Sequence, residues 1–395
     1  MLSRDRILTT HVGSLPRSEK LLGMLADSEA GKAVDRGMFR EQALQEIRAA
    51  IREQARCGVD IAGDGEIPRL GFSIYAKDRM SGFGGFSDRG TVTDFEKFPK
   101  YAAFMAKRAG IDTITKSATT WKMPQCVDAL RYDRSAAEEE LDLFAEGLTT
   151  EAGAAQQFAG TFVTAATPGI VSTTLFRHPE HPIYRDDAAY VFALADELKK
   201  EYELITDRGH TLQLDAPDLG LEHQIMFRDR PEREFFERVE LHIEALNRAT
   251  ENISTEKLRL HLCWGNWEGP HCDDIDLEPL LPFLYKAKVG GLSLACANPR
   301  HAHEVELFRK FPPPKEWVVY PGCVDVTYNY LEHPGLVAKR LLEFVDILGD
   351  RERVVASTDC GFSTFAGYVM VAEDVAWAKL DALSKGAELA SRELW

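Results

Sequence analysis

The chain has 395 residues, and its 47 Lys plus Arg against 63 Asp plus Glu give a formal net charge of −16. That acidic balance excludes nucleic acid and an anionic membrane surface as main partners, since both need a basic face. With 45% hydrophobic and 28% charged residues and no run of about 18 apolar residues, the sequence reads as a soluble globular chain without a membrane span.

The N-terminus runs straight into a strand-like segment without the apolar core of a signal peptide, which predicts a cytoplasmic location. Short apolar runs then alternate with longer amphipathic stretches. Eight of these runs read as strands: Ile7–Ser14, Asp60–Glu66, Phe162–Thr167, Thr211–Asp215, Leu258–Cys263, Gly291–Cys296, Trp317–Cys323 and Val354–Asp359. Helical spacing marks Arg40–Cys57, with Ala43, Ile47, Ala50, Ile51 and Ala55 on one face. It also marks Asp187–Arg208, Glu232–Asn252 and Pro334–Leu348. Eight strands with helical crossovers predict an α/β fold, a (β/α)8 TIM barrel forming one domain over 1–395. The gap between the second and third strands is too long for one crossover. Residues 67–161 are therefore expected to be an insertion holding an excursion and two helices. Its start, Gly71–Phe86, mixes Gly with aromatics and suits either a lid over the barrel mouth or a loop packing its own rings.

Active sites of such barrels lie at the C-terminal strand ends. There the sequence places Ser14, Asp64 and Glu66, Asp215, His261 and Cys263, Cys296, Cys323 and Asp325, and Asp359 and Cys360. His261 and Cys263 stand two apart and so share a strand face. Imidazole and thiolate suit Zn²⁺, and Cys360 from another strand end is the best third ligand. Zinc held this way lowers the pKa of an incoming thiol. The chemistry that follows is alkyl transfer to a thiol, or else activation of water. The seven cysteines, an odd number, argue against a disulfide framework.

Seven segments together resemble the catalytic barrel of cobalamin-independent methionine synthase, and more closely its short single-barrel relatives. They are HVGSLPR (His11–Arg17), GDGEIPR (Gly63–Arg69), LQLDAPD (Leu212–Asp218), HLCWGNWEGPH (His261–His271), ANPRHAHE (Ala297–Glu304), PGCVD (Pro321–Asp325) and TDCGFSTFAG (Thr358–Gly367). The resemblance implies the barrel, a catalytic Zn²⁺ and transfer of a methyl or alkyl group to a small thiol such as homocysteine. By position, His261, Cys263 and Cys360 match zinc ligands. Ser14, Glu66 and Asp215 match residues that hold the amino-acid end of homocysteine. Asp325 and Asp359 are expected to orient the metal shell or act as acid/base groups.

The sequence also departs from that family. The glutamate ligand of the sixth strand is replaced by Ala295, with Cys296 beside it as a possible fourth ligand. Thr327 stands where the synthase has a histidine suited to protonating the leaving folate, and Thr167–Phe176 lacks its folate-stacking tryptophan. Three alternatives follow. One is an epoxyalkane:coenzyme M transferase-type lyase, in which Arg17 or Arg69 would meet a sulfonate. Another is a zinc-poor barrel serving as a binding protein. The third is a hydrolase or decarboxylase on the same scaffold. The alkyl donor and the oligomeric state are not specified by the sequence.

Overall fold

The computed structural model describes residues 1–108, 122–180 and 183–395. Among the described residues ten strands run in chain order: β1 (Leu8–Thr9), β2 (Ile61–Gly63), β3 (Met80–Asp88), β4 (Lys122–Tyr132), β5 (Gly160–Ala166), β6 (Thr211–Asp215), β7 (Leu258–Leu262), β8 (Gly291–Leu294), β9 (Val318–Val324) and β10 (Val355–Thr358). Eight of them form a parallel sheet in the order β1-β10-β9-β8-β7-β6-β5-β2. A parallel bridge from Thr10 to Ile61 closes its edges, supported by Asp60 N–H donating to the Thr9 carbonyl at 3.0 Å. The eight-stranded barrel is therefore closed, and neither β1 nor β2 is left as a free edge.

Every barrel strand coincides with a predicted run, and β6 has the predicted bounds. The barrel is lined by alternate residues. Leu8, Ile61, Phe162, Val318, Tyr320 and Val355 form one buried cluster from strands that are not all neighbours. The Arg259 guanidinium lies 3.8 Å from the Phe162 ring centre and 5.1 Å from that of Tyr320. It donates to the His11 carbonyl at 3.0 Å. A buried cation is thus accommodated by ring faces and backbone oxygens. The helix Arg36–Arg56 begins four residues before the predicted start. Asp35 caps it by accepting from Met38 N–H at 2.9 Å, and its predicted apolar face is buried.

The long gap between β2 and β5 holds the expected insertion, and its described residues include an antiparallel ribbon of β3 and β4. Helices Pro99–Arg108 and Ser135–Thr150 accompany it. A buried ion network ties the ribbon to the barrel. Arg69 donates to Glu140 and to the Thr164 carbonyl at 2.9 Å, and Arg79 bridges Glu140 and Glu201. The Tyr75 ring lies between the two guanidiniums, at 4.5 and 4.4 Å. Gly71 bridges to Phe365, and the Phe72 amide donates to the Thr364 carbonyl at 3.1 Å. The start of the insertion is thereby seated on the loop after β10, while Phe86 points to solvent.

Candidate metal centre and substrate cavity

His261 and Cys263 extend the inward-facing row of β7 beyond Arg259, as the period of two requires. Cys360 follows β10, whose pairing with β9 shifts register between Ser357 and Thr358. A ligand atom of each of the three lies within 4.8 Å of the others, and all three residues are buried. Among the described residues, no other group of three or more His, Cys, Asp or Glu could hold a metal ion. Neither ring nitrogen of His261 has a hydrogen-bond partner, although the residue is only 2% exposed. An orphaned buried imidazole facing two thiols is the donor set a soft or borderline divalent metal takes. The proximity of Cys360, and then of His261, holds Cys263 well below the ordinary thiol range. The same proximity, with burial, pushes Cys360 up.

Ser14, Glu66 and Asp215 border the same cavity of about 540 Å³ as the three metal-type side chains. Glu66 sits at φ +53°, a left-handed conformation that a non-glycine residue adopts at a cost of roughly 1–3 kcal/mol. Its carboxylate accepts from the Thr164 hydroxyl at 3.0 Å, while Oε2 has no partner. Burial raises its pKa, against the pull of Arg69 and Arg17. Asp215 is pushed up to about 7 by burial, with His261 opposing, and it accepts from Gln213 Nε2 at 2.7 Å. Gly13 makes this approach possible, because a Cβ there would lie 2.3 Å from Glu66 Oε1. The Ser14 hydroxyl oxygen accepts from Ser363 N–H at 3.2 Å, which leaves its own proton to donate.

The remaining sequence candidates lie elsewhere. Asp359 caps the loop after β8, accepting from the amides of Cys296, Ala297 and Asn298 at 2.7–2.8 Å. Burial pushes it to about 7. Asp325 accepts from Thr327 N–H at 2.7 Å and from its hydroxyl at 2.8 Å. Neither aspartate is among the residues lining the cavity. Cys296 is not part of the three-residue cluster. Burial, and then Asp359, raises its pKa, and its amide donates to Asp359 at 2.8 Å. Ala295 follows Leu294, the partner of Leu262 in the β7–β8 ladder, and offers only a methyl group. Arg17 and Arg69 are not surface pairs. Arg17 is buried and donates to the Ile67, Ser363 and Glu66 carbonyls, clamping two loops to its own. Trp267 walls the cavity, whereas Trp264 packs flat on His301 at 3.8 Å. His301 joins Asp274 at 2.9 Å and Glu304 at 2.7 Å, and His271 joins Asp274 at 2.9 Å. Together they form a support behind the loop after β7.

Sequence reasoning offered Gly71–Phe86 as a lid, and it supplies Phe72 and Ser73 to the cavity; the other apolar lining residues were not anticipated. Phe72, Val92, Phe95 and Met105 come from the long insertion, Ile225 from the loop after β6, and Phe365 and Tyr368 from beyond β10. Asn266 was also missed. It donates to the Gly361 carbonyl at 2.8 Å and to Thr364 at 3.1 Å, bracing the Cys360 loop. The aromatic spacing of FSTFAGY, like the aromatics of Gly71–Phe86, was an available signal.

Fold and site define a class: a parallel (β/α)8 barrel whose C-terminal mouth gathers a His/Cys/Cys set able to hold a metal ion. In sequence and fold the chain matches the cobalamin-independent methionine synthase family. It is 25% identical to the methionine synthase of Thermococcus kodakarensis over 389 residues, covering 98% of this chain and 94% of that one. It is 26% identical to that of Pyrococcus abyssi over the same length, covering 98% and 93%. A shorter match, 26% over 177 residues, is to the 2-hydroxypropyl-CoM lyase of Xanthobacter autotrophicus, covering 38% of this chain and 45% of that one. The fold is that of a B12-independent methionine synthase from Shewanella sp. W3-18-1 solved with selenomethionine. The TM-score is 0.71 at 20% identity, over 98% of this chain and 99% of that one. No protein-family model matches the chain. Among the described residues no helix is long and apolar enough to cross a membrane.

Proposed function

We propose that this chain is a zinc-dependent alkyltransferase that moves a methyl or other alkyl group to an amino-acid thiol of the homocysteine type. The observation that carries the reading is the convergence of His261, Cys263 and Cys360 within 4.8 Å beneath a cavity that also holds Glu66 and Asp215. Zn²⁺ held by these three would lower the pKa of the substrate thiol and keep one position open for it. Glu66 and Asp215 pair with the substrate ammonium, and the buried setting strengthens that attraction. Ser14 donates to the carboxylate through the hydroxyl proton that Ser363 leaves free. The thiol sulfur then faces the apolar cavity, where an alkyl carbon can be aligned for in-line displacement with water excluded.

A coenzyme M-type thiol is disfavoured by charge. The two arginines that would meet a sulfonate, Arg17 and Arg69, are held by backbone oxygens and by Glu140. The cation lining the cavity among the described residues is Arg89, which is ion-paired with Glu222. Metal analysis of purified protein tests the proposal. We expect about one zinc per chain. Less than about 0.2 would favour the binding-protein alternative that Ala295 motivates.

A further inference from the structure

The cavity is two-faced. Its floor carries the metal-type side chains, the two acids and Ser14. The larger, apolar part of its lining, termed the roof, includes Phe72, Val92, Phe95, Met105, Ile225 and Phe365, recruited from separate parts of the chain that also contribute Ser73, Thr91 and Thr364. At about 540 Å³ the space lies in the range that takes drug-sized ligands, more than an amino-acid thiol needs. The lining offers little to an anionic tail, since among the described residues its arginine is Arg89, already ion-paired with Glu222, and Glu66 and Asp215 are acids. Packing alone does not account for these residues. Side chains whose only role is packing close up on one another, and here they border open volume continuous with the site.

Resting on the transferase reading above, we propose that this roof binds an uncharged hydrocarbon or aromatic group carried by the alkyl donor. The donor is then an apolar molecule with a heteroatom leaving group, not a polyanionic one. The transfer balances as a displacement: the thiolate forms the new C–S bond, the bond from carbon to the heteroatom breaks, and the heteroatom leaves with the pair. The roof does no chemistry. It sets which donor places its carbon over the sulfur.

The test uses product analogues that join both faces. Zinc-loaded protein is titrated by calorimetry with S-methyl-, S-propyl-, S-pentyl- and S-benzyl-homocysteine. A control compound ends its alkyl chain in a carboxylate. Affinity should rise about 3- to 4-fold per added methylene. The carboxylate-ended compound should lose that gain, and Val92→Asn should blunt the increments. A flat or falling series with S-methyl-homocysteine still bound overturns the apolar roof and leaves the amino-acid thiol reading standing. If homocysteine analogues fail to bind while S-alkyl-2-mercaptoethanesulfonates show the increments, the roof stands and the amino-acid thiol reading falls.

Discussion

Glu140→Gln isolates the network that holds the insertion over the barrel. Glu140 is 6% exposed and sits between Arg69 and Arg79. Burial opposes its charge, but the two guanidiniums win and hold the carboxyl at about 2 against an ordinary 4.5. At 1.36 kcal/mol per pKa unit that difference is worth roughly 3 kcal/mol of folding free energy. The same figure follows independently from the roughly 3–5 kcal/mol lost when one member of a buried ion pair is removed. The lower end applies here, because Arg79 keeps Glu201 and Arg69 keeps Thr164. Urea unfolding at pH 7 should show the midpoint falling with an unchanged slope, equivalent to roughly 3 kcal/mol. The sign with pH is fixed by the depressed pKa. The contribution is complete above pH 4.5 and lost as pH falls towards 2, so wild type and variant should converge in acid. A loss below about 1 kcal/mol at neutral pH would refute the reasoning, as would a gap that does not narrow in acid.

Three further outcomes are expected. Cys360→Ser removes one of the metal-type side chains. If zinc binding of about 10–16 kcal/mol is shared over four ligands, it should weaken zinc roughly 100-fold while circular dichroism reports an intact barrel. Unchanged zinc affinity would sink the ligand assignment. Burial holds His11 neutral with a pKa of about 4, against 6.5 when unfolded. The unfolded chain therefore takes up the proton first, and roughly 3 kcal/mol should be lost as pH falls from 6.5 to 4. His11→Gln should lack that slope, and equal slopes in the two proteins would count against it. Gly13→Ala puts a Cβ 2.3 Å from Glu66 Oε1 at φ +147°. It should cost roughly 1–3 kcal/mol and weaken homocysteine binding, as read by thermal melts and calorimetry. A variant as stable and as tight-binding as wild type would show that the carboxylate position is not fixed by this glycine.

The sequence made the barrel legible because its strands carry β-branched runs closed by Gly, Pro and Asp, and its crossover helices carry an unbroken apolar face. The ribbon stayed hidden for a physical reason. MSGFGGFSD has three glycines and no alternation, and KMPQCVDALRY contains a proline, so both fall below the ordinary strand signal. The His261/Cys263 pair was legible from its spacing of two, which the straight end of β7 preserves. Cys360 needed the closed barrel to bring it across. Asp359 was legible as an acid at a strand end, but its partners were not: its two oxygens accept from three loop amides. Most of the roof was illegible because its members share no period and meet only after the insertion has folded back.

The most direct test of the central claim is the visible spectrum of the Co²⁺-substituted protein during titration with homocysteine. The account predicts a new sulfur-to-cobalt band that saturates at one thiol per metal and is lost with Cys360→Ser. A protein that takes up no metal at the His261, Cys263 and Cys360 set, or whose cobalt spectrum ignores homocysteine, would contradict it.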